Sequence, residues 1–275
     1  MPPDDIQKAI ASFLDRKTAA LRVAIAKKQR LIQLLEEKRT ALINQAVTKG
    51  MNHNIPMKDS GVPWIGKIPE SWGMSALGYI CNLTSGGTPD RNQQEYWNGD
   101  IPWVKTGEIN YNEINETEEY ITELGLINSS TKLVPPDTLL MAMYGQGVTR
   151  GRVAILGIEA SFNQACLAIS PQKLLEVKYL YYYFISAYKH IRDSGNETSQ
   201  MNLSSGLISK FKVLLPSIEE QKAIVSFLDC EISCMNSLQK KLQASIKQLQ
   251  EYRQSLITAA VTGKLDVIQY NSYNL

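Results

Sequence analysis

The sequence predicts an α+β fold in which one mixed, strand-rich domain is flanked by two long antiparallel coiled-coil helices. Three observations predict it. Residues 2–48 and 216–262 are two copies of one stretch: at a constant offset of 214 residues, with no gap, they agree at 20 of 47 positions. Each copy carries apolar residues at heptad spacing and holds no Gly or Pro between its Gln-Lys-Ala-Ile and Ala-Val-Thr ends. Residues 51–215, by contrast, run as short apolar segments broken by Gly- and Pro-rich turns. The boundaries read as 1–50, 51–215 and 216–275.

The first copy opens Gln7-Lys8-Ala9-Ile10-Ala11-Ser12-Phe13-Leu14-Asp15, and its seam runs Leu14, Leu21, Lys28, Leu35, Leu42, with Ile25, Ile32 and Ala46 alongside. Pro3 stands just ahead of it, where proline does least harm to a helix. About 44 residues at about 1.5 Å each make a rod of about 65 Å. A rod with so narrow an apolar stripe needs a partner, and the chain that leaves along one copy returns along the other, so the pairing is expected to be antiparallel.

Residues 51–72 are too rich in Pro and Gly for helix and read as an ordered linker anchored by Trp64 and Trp72. A strand is expected over 74–83, then a turn at 84–91 containing Gly86-Gly87, and a short extended piece at 101–104. Between Lys105 and Lys132 stand six glutamates and no basic residue, a face expected to point away from any polyanion. Residues 138–144 and 152–156 read as paired strands around 145–151, 165–169 as a strand, 177–194 as a helix burying one face, and 211–215 as a strand leading into the second rod. There Leu228, Met235, Leu242, Leu249 and Leu256 recur every seventh residue, with Ile232, Ile246 and Ala260 beside them.

The net charge of +2 is unevenly shared. Residues 6–49 hold ten Lys or Arg against three acids, residues 219–264 six against five, and residues 50–218 thirteen against sixteen. A basic rod can follow an anionic backbone. No apolar run reaches the about 20 residues of a membrane span, and the amino terminus lacks a signal-peptide pattern, which predicts a cytoplasmic protein. Cys81, Cys166, Cys230 and Cys234, with no His nearby, read as reduced thiols rather than a metal site.

Catalytic chemistry is sparse. The only histidines are His53 and His190. Gly145-x-Gly147 with Gly151 misses the G-x-G-x-x-G spacing by one residue and lies between strands, so a hairpin is the better reading. Asp137 with Glu176-Val177-Lys178 is a weak carboxylate set, and no Asn-Pro-Pro-Tyr motif occurs. The middle does hold many side chains suited to base edges in or beside turns: Arg91, Lys105, Thr106, Gln146, Thr149, Arg150, Arg152, Asn163, Gln164, Asn196, Thr198, Ser199, Gln200 and Asn202. Arg, Asn and Gln make the bidentate contacts to guanine and adenine.

Taken together, the two rods, Lys58-Asp59-Ser60-Gly61-x-x-Trp64-Ile65-Gly66-x-Ile68-Pro69, Thr84-Ser85-Gly86-Gly87-Thr88-Pro89, Tyr96-Trp97, Ile101-Pro102-Trp103, Asn163-Gln164-Ala165-Cys166 and Phe211-x-Val213-x-Leu215-Pro216 resemble the specificity subunit of type I restriction-modification systems over nearly the whole chain. The resemblance implies a non-catalytic subunit with a target-recognition domain that reads double-stranded DNA. It implies helices that bind methyltransferase (M) subunits and, through them, a restriction (R) subunit, with S-adenosylmethionine, ATP and Mg used by those partners. The family pattern has two recognition domains. This chain has one, in the order helix, domain, helix, so it resembles a half subunit or a truncated form; reading a whole bipartite site would need a second copy or another half subunit. The alternatives are a helical adaptor that does not bind DNA and a silent recombination cassette.

Overall fold

A computed structural model describes residues 3–52, 54–144, 148–193 and 203–267. They form two compact units, residues 1–40 with 230–275, and residues 41–229. Helix α1 (Asp4–Lys49) begins with Asp4 and Asp5 at its positive end and stops at Gly50, which takes φ 73°, the left-handed conformation that glycine adopts without strain. Two short antiparallel strands, β1 (Met57–Asp59) and β2 (Lys67–Pro69), lie in the stretch expected to be linker.

The strand expected over 74–83 is two strands joined by a helical turn: β3 (Gly73–Ala76), α2 (Leu77–Ile80) and β4 (Cys81–Ser85). The two strands serve different sheets, so the chain must turn between them. It does so where the Leu77 N–H donates to the Phe211 carbonyl at 2.9 Å. Then come β5 (Trp97–Val104), longer than expected, β6 (Glu113–Ile114), β7 (Glu119–Ile121) and α3 (Glu123–Ile127), which Thr122 caps by accepting from the Gly125 N–H. Strands β8 (Leu139–Ala142) and β9 (Val153–Leu156) pair antiparallel as expected, with Leu139 opposite Ile155. The domain closes with β10 (Ser161–Phe162), β11 (Cys166–Pro171), α4 (Val177–Asp193), α5 (Ser205–Lys210) and β12 (Lys212–Leu215), and the second rod is α6 (Ile218–Val261).

The main sheet runs β4-β11-β8-β9-β6, a smaller one β10-β5-β7, and β12 pairs with β3. Every residue of β8 and β9 is buried, so both faces of the main sheet are covered, which accounts for their unbroken apolar runs. Leu140, Ala142, Ala154, Leu156, Cys166 and Ala168 form one core cluster with Val104, Ile109, Ile114 and Phe162. Helix α4 buries Tyr179, Leu180, Tyr183, Phe184, Ala187 and Ile191.

This second unit also takes in the last turns of α1 and the first of α6, because those turns are part of its core: Ile43, Val47 and Thr48, then Gln221, Ile224 and Leu228, are at most 1% exposed. Gln221 is the polar anchor. Its Nε2 donates to the carbonyls of Leu174 and Pro216, each at 3.0 Å, and its Oε1 accepts from the Glu176 N–H at 2.9 Å. The Tyr179 hydroxyl donates to the Val47 carbonyl at 3.3 Å, and Trp72 Nε1 to Glu220 at 3.0 Å.

In the first unit the helices pair as the heptads require. Buried and half-buried positions recur at 14, 18, 21, 25, 28, 32, 35 and 39 on α1 and at 232, 235, 239, 242, 246, 249, 253, 256 and 260 on α6. Ile10, Phe13 and Leu14 cluster with Leu256, Ala260, Leu265 and Val267, so the start of α1 meets the end of α6 and the pair is antiparallel. Carried inward, this register brings Lys28, half-buried on the seam, level with Leu242.

Candidate nucleic-acid interface

Three loops distant in sequence converge at one edge of the small sheet. Strand β10 runs parallel to β5, with Ser161 opposite Trp103 and Phe162 opposite Val104, so the residues that follow each strand emerge together. Thr106 there donates to Asn163 Oδ1 at 3.1 Å, and the Asn163 N–H donates to the Val104 carbonyl at 3.0 Å. The third loop is locked by its glycines: the Gly87 N–H donates to Phe162 and the Gly87 carbonyl accepts from Trp103 Nε1, both at 3.0 Å. A Cβ at Gly86 or Gly87 would run into the backbone of 162–163 or 130–131. Thr88, thus placed, donates to the exposed Gln164.

Arg91, on the same loop, lies over the Trp97 ring at 3.8 Å and the Trp103 ring at 4.9 Å. It donates to Glu119 at 2.5 Å. Lys105 meets Glu118 at 2.7 Å and Glu119 at 3.1 Å. The glutamates of 105–132 therefore do not all face away from the basic candidates. Strand β7 is the antiparallel neighbour of β5 with Glu119 opposite Trp103, and that register sets acid beside base. Burial alone would raise the Glu119 carboxyl, but hydrogen bonds from Arg91 and Lys105, and their charges, hold it below the usual range. Lys105 is raised by the hydrogen bonds it donates to Glu118 and Glu119, so it stays charged. Burial raises Glu108, against hydrogen bonds from the N–H groups of Lys105 and Glu118.

The candidates at 149–152 lie elsewhere. Arg150 is 5% exposed and its Nη2 donates to the Arg192 carbonyl at 2.9 Å, so the side chain expected at base edges ties its loop to α4. Arg152 donates to Asn110 Oδ1 at 2.6 Å and stands 5.7 Å from the Tyr111 ring. Tyr111 takes φ 56°, a strained conformation for a bulky side chain, held by the Tyr181 hydroxyl donating to its carbonyl at 2.7 Å. Thr149 is half-buried. Gln146, Asn196, Thr198, Ser199, Gln200 and Asn202 lie outside the described residues, as does His53.

Asp137, Glu176 and Lys178 line one recess of about 580 Å³, yet Glu176 pairs with Lys222 at 3.5 Å and Lys178 with Asp229 at 3.2 Å. His190 stacks on Trp64 with ring centroids 4.7 Å apart. Burial pushes the thiols of Cys81 and Cys166 up to about 12, which removes their nucleophilic form at neutral pH. Among the described residues no group of three or more His, Cys, Asp or Glu is placed to hold a metal ion, and no helix is long and apolar enough to cross a membrane. What the edge at 86–91, 105–108 and 163–164 offers is hydrogen bonding: two amides, two hydroxyls, a guanidinium and an ammonium in one place. Thr88, Glu118 and Glu119 were not among the base-edge candidates read from sequence. The signal for them was the Trp97 and Trp103 strand, whose partner could not be read.

Comparison with known proteins bears on this arrangement. Residues 69–248 match the family model described as the type I restriction modification DNA specificity domain. The EcoR124I/EcoR124II specificity subunit of Escherichia coli is 32% identical over 190 residues, 66% of this chain and 47% of that protein. The MjaVIII specificity subunit of Methanocaldococcus jannaschii is 22% identical over 98% of this chain and 63% of its own length. The chain spans about half the length of the curated relatives it matches first. Two solved structures share the fold. One, from work on the assembly and conformational transition of the type I R-M system, has a TM-score of 0.77 at 15% identity, covering 94% of this chain and 60% of that one. The other, the HsdS subunit of Thermoanaerobacter tengcongensis, has 0.62 at 16%, covering 96% and 60%.

Proposed function

The chain belongs to the type I restriction-modification DNA specificity family, and on that premise we propose that its middle domain reads one half-site of a duplex DNA sequence. The rods dock methyltransferase subunits and, through them, a restriction subunit. The chain itself is then a reader without catalytic activity; S-adenosylmethionine, ATP and Mg belong to those partners, and the assembly works in the cytoplasm. The observation that carries this reading is the convergence of the loops at 86–91, 105–108 and 163–164, which gathers Arg91, Lys105, Thr106, Asn163 and Gln164 on one edge. Gln164 is exposed, and a glutamine amide matches the edge of adenine.

The repeat supports a second domain at the other end of the rods. Positions that seat the middle domain keep their identity in the other copy: Gln7 for Gln221, Ile10 for Ile224, Asp15 for Asp229, Val261 for Val47, Thr262 for Thr48. There Gln7, Asp15 and Thr262 are exposed and Val261 is 65% exposed. A groove of about 420 Å³ lined by Ile6, Ile10, Val261 and Leu265 lies among them. The domain of a second copy, or of another half subunit, supplies the second half-site there.

A second reading, a helical adaptor whose middle domain does not touch DNA, is favoured by the −3 balance of residues 50–218 and by the carboxylates that hold Arg91 and Lys105. Methylome sequencing of a host that expresses the chain with its methyltransferase separates the two. The DNA-reading chain yields a defined methylated motif, and Gln164→Ala relaxes it at one position at a cost of about 1–3 kcal/mol. A motif indifferent to every substitution at 88, 91, 105, 106, 163 and 164 leaves the adaptor.

A further inference from the structure

The two carboxylates around Lys105 differ in character. Glu119 is fixed: it stands in β7 opposite Trp103, its side chain is 28% exposed, and it serves both Arg91 and Lys105. Glu118 precedes the strand, its side chain is 72% exposed, and its carboxylate meets Lys105 Nζ at 2.7 Å. Its own N–H donates to Glu108 Oε2 at 3.3 Å, which fixes the backbone and leaves the side chain in water. The Lys105 side chain is 32% exposed, so water reaches it as well as the Glu118 carboxylate.

A carboxylate and a phosphate present a lysine with the same partner, an anionic oxygen at hydrogen-bond distance. An exposed Lys–Glu pair is worth at most about 1 kcal/mol and weakens with salt. A duplex phosphate gains in addition from counterion release, which makes it the stronger competitor at low and physiological salt. Arg91 is held differently: its guanidinium lies on Trp97 and Trp103 as well as against Glu119, so an incoming anion need not dislodge it.

Resting on the reading of this edge as DNA-facing, we propose that Glu118 occupies the place that a DNA phosphate takes on Lys105. Duplex DNA binds by displacing Glu118, while Glu119 stays and positions Arg91 and Lys105. Glu118 thus sets the threshold of binding for any sequence, and lowers the occupancy of wrong sites by making every contact at Lys105 begin with a broken ion pair. Glu119 is a positioning residue, whose loss leaves the same charges poorly aimed.

The test measures binding of the full chain to a mixed-sequence duplex by fluorescence anisotropy across a salt series, with the methylated motif read in parallel in a host carrying the partner methyltransferase. Glu118→Gln is expected to tighten duplex binding about two- to fivefold at low salt, with a gain that shrinks as salt rises. Glu119→Gln is expected to broaden the motif. The gain from Glu118→Gln must vanish in the Lys105→Ala background; a gain that persists there is bulk charge and overturns the proposal. If Lys105→Ala weakens binding and Glu118→Gln does not tighten it, the displacement is wrong and the DNA-facing edge stands. If Arg91→Ala and Lys105→Ala both leave binding unchanged, the edge itself is wrong, and the proposal goes with it.

Discussion

At the scale of single residues, the repeat provides a natural control: one side chain, Gln, in two environments. Gln221 is fully buried and satisfies three backbone groups, so Gln221→Ala strands polar groups inside the core and should cost about 3 kcal/mol. Gln7 is exposed, and Gln7→Ala should cost much less in the isolated chain. Chemical denaturation of both variants checks the contrast, and equal losses would contradict it. Glu119 gives a pH signature. Its folded-state value is depressed, so its contribution is present above the ordinary carboxylate value of about 4.3 and is lost as pH falls through the lower folded value. The stability gap between the wild-type chain and Glu119→Gln should be full at pH 7 and should close in acid, in a pH series of thermal melts. Nothing in the order of residues announced that Glu119 would stand beside Arg91, because that neighbourhood depends on which strands pair. Gln164, in contrast, was legible as a polar residue in a turn, where the structure exposes it, since that much depends on local sequence alone.

At the scale of elements, periodicity made the rods readable almost to the residue: apolar seams without Gly or Pro over forty positions leave one conformation open. The strands were legible where the apolar run is continuous, as at 139–142 and 153–156. They were misread at 74–83, where Leu77 to Ile80 look apolar enough to extend a strand but are bent by tertiary contacts to Phe211 and Ser209. Linker-like composition also hid the β1–β2 ladder, which is only three residues long. The seam predicts how the rods tolerate change. Deleting residues 28–34 together with 242–248 removes one heptad from each, keeps the apolar line in phase and shortens the pair by about 10 Å, roughly three base pairs of duplex. The half-site bases should persist while the spacer between them shortens. A five-residue deletion at the same places should put the seam out of register and abolish partner binding, which co-purification with the methyltransferase would reveal.

At the scale of the whole molecule, two copies of one helix laid antiparallel create an approximate two-fold relation inside a single chain. If the second half-site is read by an identical domain, the methylated motif must be an inverted repeat; an asymmetric motif, obtained with this chain as the sole specificity component, would exclude identical domains. The same relation has a cost at its centre. A helix so nearly its own complement can also lie antiparallel on another copy of itself, and α1 would then bring Lys28 against Lys28, while α6 would bring Leu242 against Leu242. With ten basic residues against three acids over 6–49, α1 repels itself along its length. Residues 219–264, six against five, do not. As separate peptides, α1 should sediment as a monomer, α6 as a self-associated species, and an equimolar mixture as the mixed pair. Lys28 is thus a wasted seam position by the measure of burial and a useful one by the measure of fidelity: it makes the helix choose its sister over its twin.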